Sequence, residues 1–231
     1  MNTSRKIAIV VGALYLIVNF VTGPPGLVLE NSILDAPDYL INVSANETRW
    51  IMSKLLLSLM AVGIAGIGLV IYPILKQHNE SIAIVYVGSR IIEGVIIIVG
   101  QISGLSLLTL SQEFVKAGAP DASYFQTLGE LLLAAPDWGS HVMGIVFCLG
   151  ALMLYYVLYR SKLIPRWLSA FCFSGPILHL PGVLLTLFGL LEPLSTINIL
   201  LQVPLILSEF GLAVWLIVKG FNPSAIVSEP A

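Results

Sequence analysis

Long apolar runs separated by short polar segments dominate the chain. Six of these runs are long enough, or nearly long enough, to cross a membrane, because a spanning helix needs about 20 mostly apolar residues. They cover residues 7–22, 52–75, 82–110, 138–159, 167–190 and 197–218. The pattern therefore predicts an all-α polytopic membrane protein, with six transmembrane helices in one bundle.

The segments beside these runs set the expected boundaries. Two prolines in "GPPG" (23–26) are expected to end the first helix, and "SYFQTLGELLLAAP" (123–136) predicts a short amphipathic helix at the membrane interface. The basic start and apolar core of the first run are typical of a signal peptide, but "VTGPPG" (21–26) is a poor match to a small-residue cleavage site, so we expect this helix to be retained. Residues 1–222 are expected to form one transmembrane domain, and residues 223–231 a disordered tail.

Composition supports the membrane assignment and excludes other classes. Only 10% of the residues are charged, whereas a soluble domain usually carries about 25%. The formal net charge is −2 and the sequence predicts no basic patch that would neutralise nucleic-acid phosphates, so we expect the lipid bilayer as a partner and no nucleic acid. Cys148 and Cys172 both lie in apolar runs without a CxxC motif, which argues against a disulfide or zinc framework.

The positions of Lys and Arg predict the orientation. With the N-terminus in the cytoplasm, seven basic residues fall on the cytoplasmic side and three on the other, and one is left inside the membrane. The seven are Arg5, Lys6, Lys76, Arg160, Lys162, Arg166 and Lys219, the three are Arg49, Lys54 and Lys116, and the last is Arg90. Because cytoplasmic loops are enriched in Lys and Arg, we expect both termini in the cytoplasm.

Five ionisable residues within the predicted helices form the candidate site. At 1.5 Å per residue, Arg90 and Glu93 of the third helix lie roughly 12 and 16 Å from its cytoplasmic end. Glu209 of the sixth helix and His179 of the fifth lie roughly 14 and 18 Å from the same side. His141 is nearer the outer end of the fourth helix. Four ionisable groups are thus predicted to converge near mid-membrane from three helices.

The charges of this group do not balance. Arg90 and Glu93 are three residues apart and share a helix face, so they can pair directly. Charges in the membrane are costly and normally face the bundle interior and pair. One arginine cannot neutralise both Glu93 and Glu209, so one acid is left to hold a proton, bind a cation or interact with His179.

Other chemistry receives weaker support from the sequence. Glu93, His141, His179 and Glu209 could supply a His and carboxylate ligand set, but no HExxH motif accompanies them, and the metal and any cofactor stay open. No GxSxG motif is present, so we assign no catalytic residue. Prolines beside His179 and before Glu209 indicate either interrupted helices that frame a binding site or plain kinks.

Three stretches resemble a known family. "SRIIEGV" (89–95), "LYRSKLIPRWLS" (158–169) and "SEFGLAVWLIVKGF" (208–221) are similar to the bacterial membrane proteins grouped as domain of unknown function 4386. Those proteins share six predicted helices, an R-x-x-E, a His early in helix four and a Glu before W-L-x-x-K-G. The matching residues are Arg90, Glu93, His141, Glu209, Trp215, Leu216, Lys219 and Gly220. The resemblance implies a multi-pass protein of the bacterial inner (plasma) membrane and no particular activity.

Three functions fit these observations. The favoured one is binding or transport of a small solute, ion or proton at Arg90, Glu93, His141, His179 and Glu209. In the second, the buried ion pairs of a structural or accessory membrane protein only fix the fold. The third is an intramembrane metal-assisted hydrolase. We therefore lean away from an enzyme, and ligand identity and oligomeric state stay open.

Overall fold

The computed structural model describes residues 2–35, 38–118 and 122–226. Within these ranges it contains helices and no strand. The helices are α1 Thr3–Leu16, α2 Gly23–Leu34, α3 Tyr39–Ala45, α4 Glu47–Leu75, α5 Glu80–Ala117, α6 Ala122–Ser161, α7 Arg166–Leu187 and α8 Thr196–Val218. A π-helix at Ile17–Thr22 joins α1 to α2, and a 3₁₀ turn at Pro223–Ala225 follows α8.

Six helical stretches among the described residues are long and apolar enough to cross a membrane. The first runs from Thr3 to Leu34, and the other five lie in α4, α5, α6, α7 and α8. The predicted all-α fold with six spans is therefore confirmed, and the chain is a multi-pass membrane protein. Part of the expected tail, residues 227–231, lies outside the described residues.

The expected end of the first helix at "GPPG" is wrong. Helical backbone continues from α1 through the π-helix into α2. Pro24 and Pro25 do not end it because they lie in the first turn of α2, where a missing N–H removes no hydrogen bond within that helix. Between the first two predicted apolar runs, 7–22 and 52–75, the chain therefore forms α2, α3 and the first residues of α4.

The separate amphipathic helix expected at 123–136 is also wrong, because this segment is the first part of α6. Pro136 lies inside that helix and packs close to Gly100 of α5, where an added Cβ would be 3.3 Å from the Pro136 Cβ. Prolines are tolerated in spanning helices when neighbouring groups compensate for the lost hydrogen bond. Pro176, Pro181 and Pro204 likewise lie inside the unbroken helices α7 and α8.

The chain divides into two compact units. The first comprises Met1–Leu16, Gly63–Glu93 and His141–Ala231, and the second comprises Ile17–Val62 and Gly94–Ser140. In the first unit, α8 packs against both α1 and α7. The Arg5 side chain donates hydrogen bonds of 2.6 to 3.1 Å to the last carbonyl groups of α8, which would otherwise lack partners.

A hydrophobic core holds the second unit together. Its buried members are Ile33, Leu40, Val43, Trp50, Leu107 and Leu108, contributed by α2 to α5. The Trp50 indole donates a 2.8 Å hydrogen bond to the Gly104 carbonyl, so the polar atom of this large side chain is satisfied inside the core. This unit also contains the Lys54 side chain, which is buried and pairs with Glu30.

Candidate functional site

Arg90 lies on α5 about 15 Å along the helix from its start at Glu80. Its side chain is buried with two carboxylates, since Arg90, Glu93 and Glu209 are only 4%, 2% and 9% exposed. One guanidinium nitrogen of Arg90, Nη1, donates to Glu93 Oε2 at 2.8 Å. The other, Nη2, lies 3.8 Å from Glu209 Oε1 on α8. The predicted direct pairing of Arg90 with Glu93 is confirmed, and Glu209 lies within ion-pair distance of the same guanidinium.

Two tyrosines complete the surroundings of the guanidinium. Arg90 Nε donates to the Tyr86 hydroxyl and Nη2 donates to the Tyr15 hydroxyl, each at 3.1 Å. The two hydroxyl oxygens are themselves 3.2 Å apart. We call Arg90, Glu93, Glu209, Tyr15 and Tyr86 the Arg90 cluster. Each of the three guanidinium nitrogens has a polar partner, which offsets much of the cost of burying the charge.

Two further helices contact the Arg90 cluster, through Gly68 and through the Phe147 ring. A Cβ added to Gly68 on α4 would lie 3.1 Å from the Arg90 Cβ, so the backbone of α4 contacts the base of the side chain. The Phe147 ring of α6 lies 5.2 Å from the guanidinium carbon, within cation–π range. Four helices thus surround Arg90, namely α1, α4, α6 and α8, and hold its side chain in one orientation.

The Arg90 cluster contains more acidic groups than basic ones. Arg90 is one positive charge facing two carboxylates. Among the described residues, Glu93 Oε1 is buried and has no hydrogen-bond partner. Two ionised acids would leave a net negative charge in an apolar environment, which is costly. The arrangement is therefore suited to hold one proton, or to accept a cation, beside the arginine.

The two histidines occupy different positions. His179 is half-buried on α7, and its ring packs edge-on against Phe147 with 6.4 Å between the ring centroids. Within the described part of the chain, its Nδ1 atom is buried without a hydrogen-bond partner. The Phe147 ring therefore packs against both the His179 ring and the Arg90 guanidinium. His141 is half-buried on α6, six residues before Phe147.

No metal-ligand set is assembled among the residues that the structure describes. Their His, Cys, Asp and Glu side chains form no group of three or more that could hold a metal ion. The four candidates Glu93, His141, His179 and Glu209 are thus not brought together as metal ligands. Cys148 and Cys172 are both buried free thiols.

The two tyrosines and a second buried ion pair were not predicted from the sequence. Tyr86 precedes Arg90 by four residues, so helical spacing could have identified it. Tyr15 is on another helix, and no local pattern marks it. The other pair is Lys54 and Glu30, whose Nζ and Oε1 atoms are 2.5 Å apart. The sequence predicts Lys54 as a basic residue on the outer side, yet its side chain is buried.

The surroundings of Lys54 explain why it can be buried. Its ammonium group lies 4.1 Å from the centroid of the Trp50 ring, which adds a cation–π contact to the ion pair with Glu30. Gly104 provides the space, since an added Cβ at that residue would lie 2.5 Å from Lys54 Cε. The second unit therefore contains a balanced pair of charges, in contrast to the unbalanced Arg90 cluster.

Six membrane-spanning helices and a buried arginine with two glutamates define a multi-pass membrane protein with an intramembrane charged cluster. The chain belongs to the family described as Domain of unknown function (DUF4386), whose model matches residues 10–220. The resemblance drawn from the sequence is therefore confirmed, and the match includes Arg90, Glu93, His141 and Glu209. No curated protein and no solved structure matches the chain.

Proposed function

We propose that the protein binds or transports a small solute, an ion or a proton, with the Arg90 cluster as its binding site. A proton is the species that the geometry favours. The observation that carries this proposal is the charge imbalance: one guanidinium faces two buried carboxylates, and Glu93 Oε1 lacks a partner among the described residues. A carboxylate buried in a membrane that is not fully neutralised is typical of proton and ion pathways.

The distances favour Glu209 as the acid that carries the proton. Glu93 makes the shorter contact with Arg90, 2.8 Å against 3.8 Å for Glu209, so the arginine stabilises the ionised form of Glu93 more strongly than that of Glu209. Loss of the proton from Glu209 would place two negative charges around one arginine. A cation or a rearrangement of the guanidinium toward Glu209 would then restore the balance, which couples proton release to a change in the cluster.

Infrared spectroscopy of the purified protein in lipid tests for this proton. We expect the absorption band of a protonated carboxyl group at neutral pH, and we expect Glu209→Gln to remove it. Glu130→Gln replaces an exposed acid on α6 and should leave the band unchanged. A parent protein without such a band at neutral pH would contradict the proposal that the cluster holds a proton.

A structural role is the second candidate, because a specific observation favours it. All three guanidinium nitrogens of Arg90 have partners on three helices, so the cluster could serve only to hold α1, α5 and α8 together. A structural ion pair can often be exchanged for apolar residues of similar volume without loss of stability. A proton-binding acid tolerates replacement by its amide, which keeps the shape but cannot ionise.

Thermal unfolding in detergent distinguishes these two roles. If the cluster binds a proton at Glu209, Glu209→Gln should unfold near the temperature of the parent protein. If the cluster is only structural, Glu209→Gln should be destabilised, whereas a triple replacement of Arg90, Glu93 and Glu209 by Met should be as stable as the parent. This second pattern would refute the proton-binding proposal.

We also propose that the membrane is the bacterial inner (plasma) membrane and that both termini are cytoplasmic. The family resemblance supports the membrane, and the distribution of Lys and Arg supports the orientation. A small-molecule or ion ligand and the lipid bilayer are the proposed partners. With this orientation, the turn between α4 and α5 and the turn between α6 and α7 both face the cytoplasm.

A further inference from the structure

A basic cavity of about 600 Å³ lies where α7 begins and α8 ends. Lys162, Arg166 and Lys219 line it, and none of its lining residues is acidic. All three basic side chains are exposed, and no carboxylate of residues 2–35, 38–118 and 122–226 lies within ion-pair distance of them. Three positive charges are therefore concentrated around one cavity and available for an anion.

The backbone holds the walls of this cavity in place. Asn222 donates from its backbone N–H to the Leu163 carbonyl at 2.8 Å, and from its side chain to the Lys162 carbonyl at 3.4 Å. These bonds tie the turn before α7 to the segment after α8. Lys162 itself has a φ of 58°, a left-handed conformation that is uncommon for any residue other than glycine. Such conformations persist where surrounding contacts impose them, and they are frequent at ligand sites.

The start of α7 adds to the positive potential of the cavity. Pro165 and Arg166 line it, and α7 begins at Arg166 with no side chain accepting a hydrogen bond from its first turn. The unpaired N–H groups of a helix start carry partial positive charge and favour anions. Together with the three basic side chains, they favour a phosphate group, which can accept several such hydrogen bonds.

The location of the cavity indicates where this phosphate comes from. The cavity lies at the ends of two membrane-spanning helices, at the level expected for lipid headgroups. The Trp167 and Trp215 rings pack edge to face at 6.2 Å, and the Arg166 guanidinium lies 5.4 Å from the Tyr159 ring centroid. Tryptophan and tyrosine are enriched at the membrane interface, and basic pockets between helices there bind anionic headgroups.

We propose that this cavity binds the phosphate-bearing headgroup of an anionic phospholipid. The headgroup phosphate contacts Lys162, Arg166 and Lys219, while the acyl chains lie along the apolar surfaces of α7 and α8. The proposal depends on the chain spanning a membrane and is independent of the protonation of the Arg90 cluster. It assigns to the "YRSKLIPRW" turn (159–167) a binding role in addition to its topological one.

Native mass spectrometry tests the proposal. The full chain is titrated with phosphatidylglycerol in detergent, and its lipid-bound fraction is measured after release from the detergent. Each positive charge lost near an anionic lipid should weaken binding about fivefold. We therefore expect Lys162→Gln, Arg166→Gln and Lys219→Gln each to weaken phosphatidylglycerol binding by this factor, and the triple variant to weaken it on the order of 100-fold.

The matched control replaces Lys6, Lys76 and Lys116 by Gln, which removes the same charge from exposed sites outside the cavity. This control should bind phosphatidylglycerol like the parent.

Two further ligands separate the sources of the phosphate. Phosphatidylcholine, with no net charge, should bind weakly and with equal affinity to the parent and the triple variant. Inorganic phosphate should not compete with phosphatidylglycerol. If the triple variant and the matched control lost the same factor in affinity for phosphatidylglycerol, the effect would be one of general charge, and the proposal would be overturned. Competition by inorganic phosphate, or equal affinity for the two lipids, would also overturn it, and the single variants give the answer if the triple variant does not fold.

Discussion

At the scale of single residues, the burial of Arg90 makes its charge decisive for stability. Replacing it by Gln would leave Glu93 and Glu209 without their cation while keeping a polar side chain. Removing one partner of a buried ion pair typically costs about 3–5 kcal/mol, and we expect Arg90→Gln to lower the free energy of unfolding by this amount. Thermal or denaturant unfolding in detergent measures the change.

The matched control for Arg90 is Arg160→Gln, which removes an exposed arginine at the end of α6. Exposed charges contribute little because water screens them, so this variant should unfold like the parent. If Arg90→Gln also unfolded like the parent, Arg90 would be solvated, and the Arg90 cluster would be open to water.

The Lys54–Glu30 pair gives a second prediction at this scale. Lys54→Met keeps most of the side-chain volume but leaves Glu30 without its counter-charge in the interior of the second unit. We expect a loss of about 3–5 kcal/mol in the free energy of unfolding, as for other broken buried pairs. Lys116→Met is the control, because Lys116 also pairs with a glutamate, Glu113, but both side chains are exposed. Similar stability losses in the two variants would contradict the importance of burial.

Residues of the Arg90 cluster that are close together in the sequence could be predicted, whereas those on distant helices were harder to link. Arg90 and Glu93 were identifiable because three residues on a helix place them on one face. Glu209 could be linked to them through its depth in an apolar helix. Tyr15 could not, because its role depends on how α1 packs against the other helices. Lys54 was misjudged because it lies near the start of an apolar run, where a lysine is usually solvated.

At the scale of helices, close approach of α1 and α8 depends on Gly12. A Cβ added there would lie 2.6 Å from the Ala213 carbonyl oxygen and 2.7 Å from Ile217 Cγ1. A backbone carbonyl cannot move without displacing α8, so we expect Gly12→Ala to lower the free energy of unfolding by about 1–3 kcal/mol. Thermal unfolding in detergent measures this cost.

Gly88→Ala is the matched control for Gly12. Gly88 also lies within a helix, α5, but an added Cβ would meet no atom within 4 Å. Alanine is the better helix former, so this variant should be as stable as the parent or more stable by about 0.5–1 kcal/mol. Equal destabilisation by both replacements would show that helix propensity, and not the contact of α1 with α8, determines the result.

The helices themselves were predictable to different degrees. The spans of α4, α7 and α8 follow directly from their apolar runs, and their observed bounds lie within a few residues of the predicted ones. Pro24, Pro25 and Pro136 misled the prediction because a proline ends a helix only where it removes a needed hydrogen bond or clashes with the preceding turn. Whether it does so depends on the turn that it occupies, which the residue type alone does not reveal.

At the scale of the whole molecule, composition was enough to predict the class of protein. A chain with 10% charged residues cannot cover its surface with polar groups, so it requires lipid. Because charged residues are rare in the apolar runs, each one stands out, and Arg90, Glu93 and Glu209 could be identified from the sequence in this way. The division into two compact units was not predictable, because α4, α5 and α6 each contribute residues to both.

The number of spans and the distribution of basic residues together predict the topology. If each of the six candidate spans crosses the membrane, both termini lie on the same side. Lys54 is buried and paired, so only Arg49 and Lys116 remain on the opposite side against seven basic residues on the proposed cytoplasmic side.

Reporter fusions at Gln77, in the turn after α4, and at Ser161, at the end of α6, should therefore give cytoplasmic signals. A fusion at Asn46, between α3 and α4, should report the outside. A cytoplasmic signal at Asn46 would overturn the orientation, because one span separates it from the N-terminus.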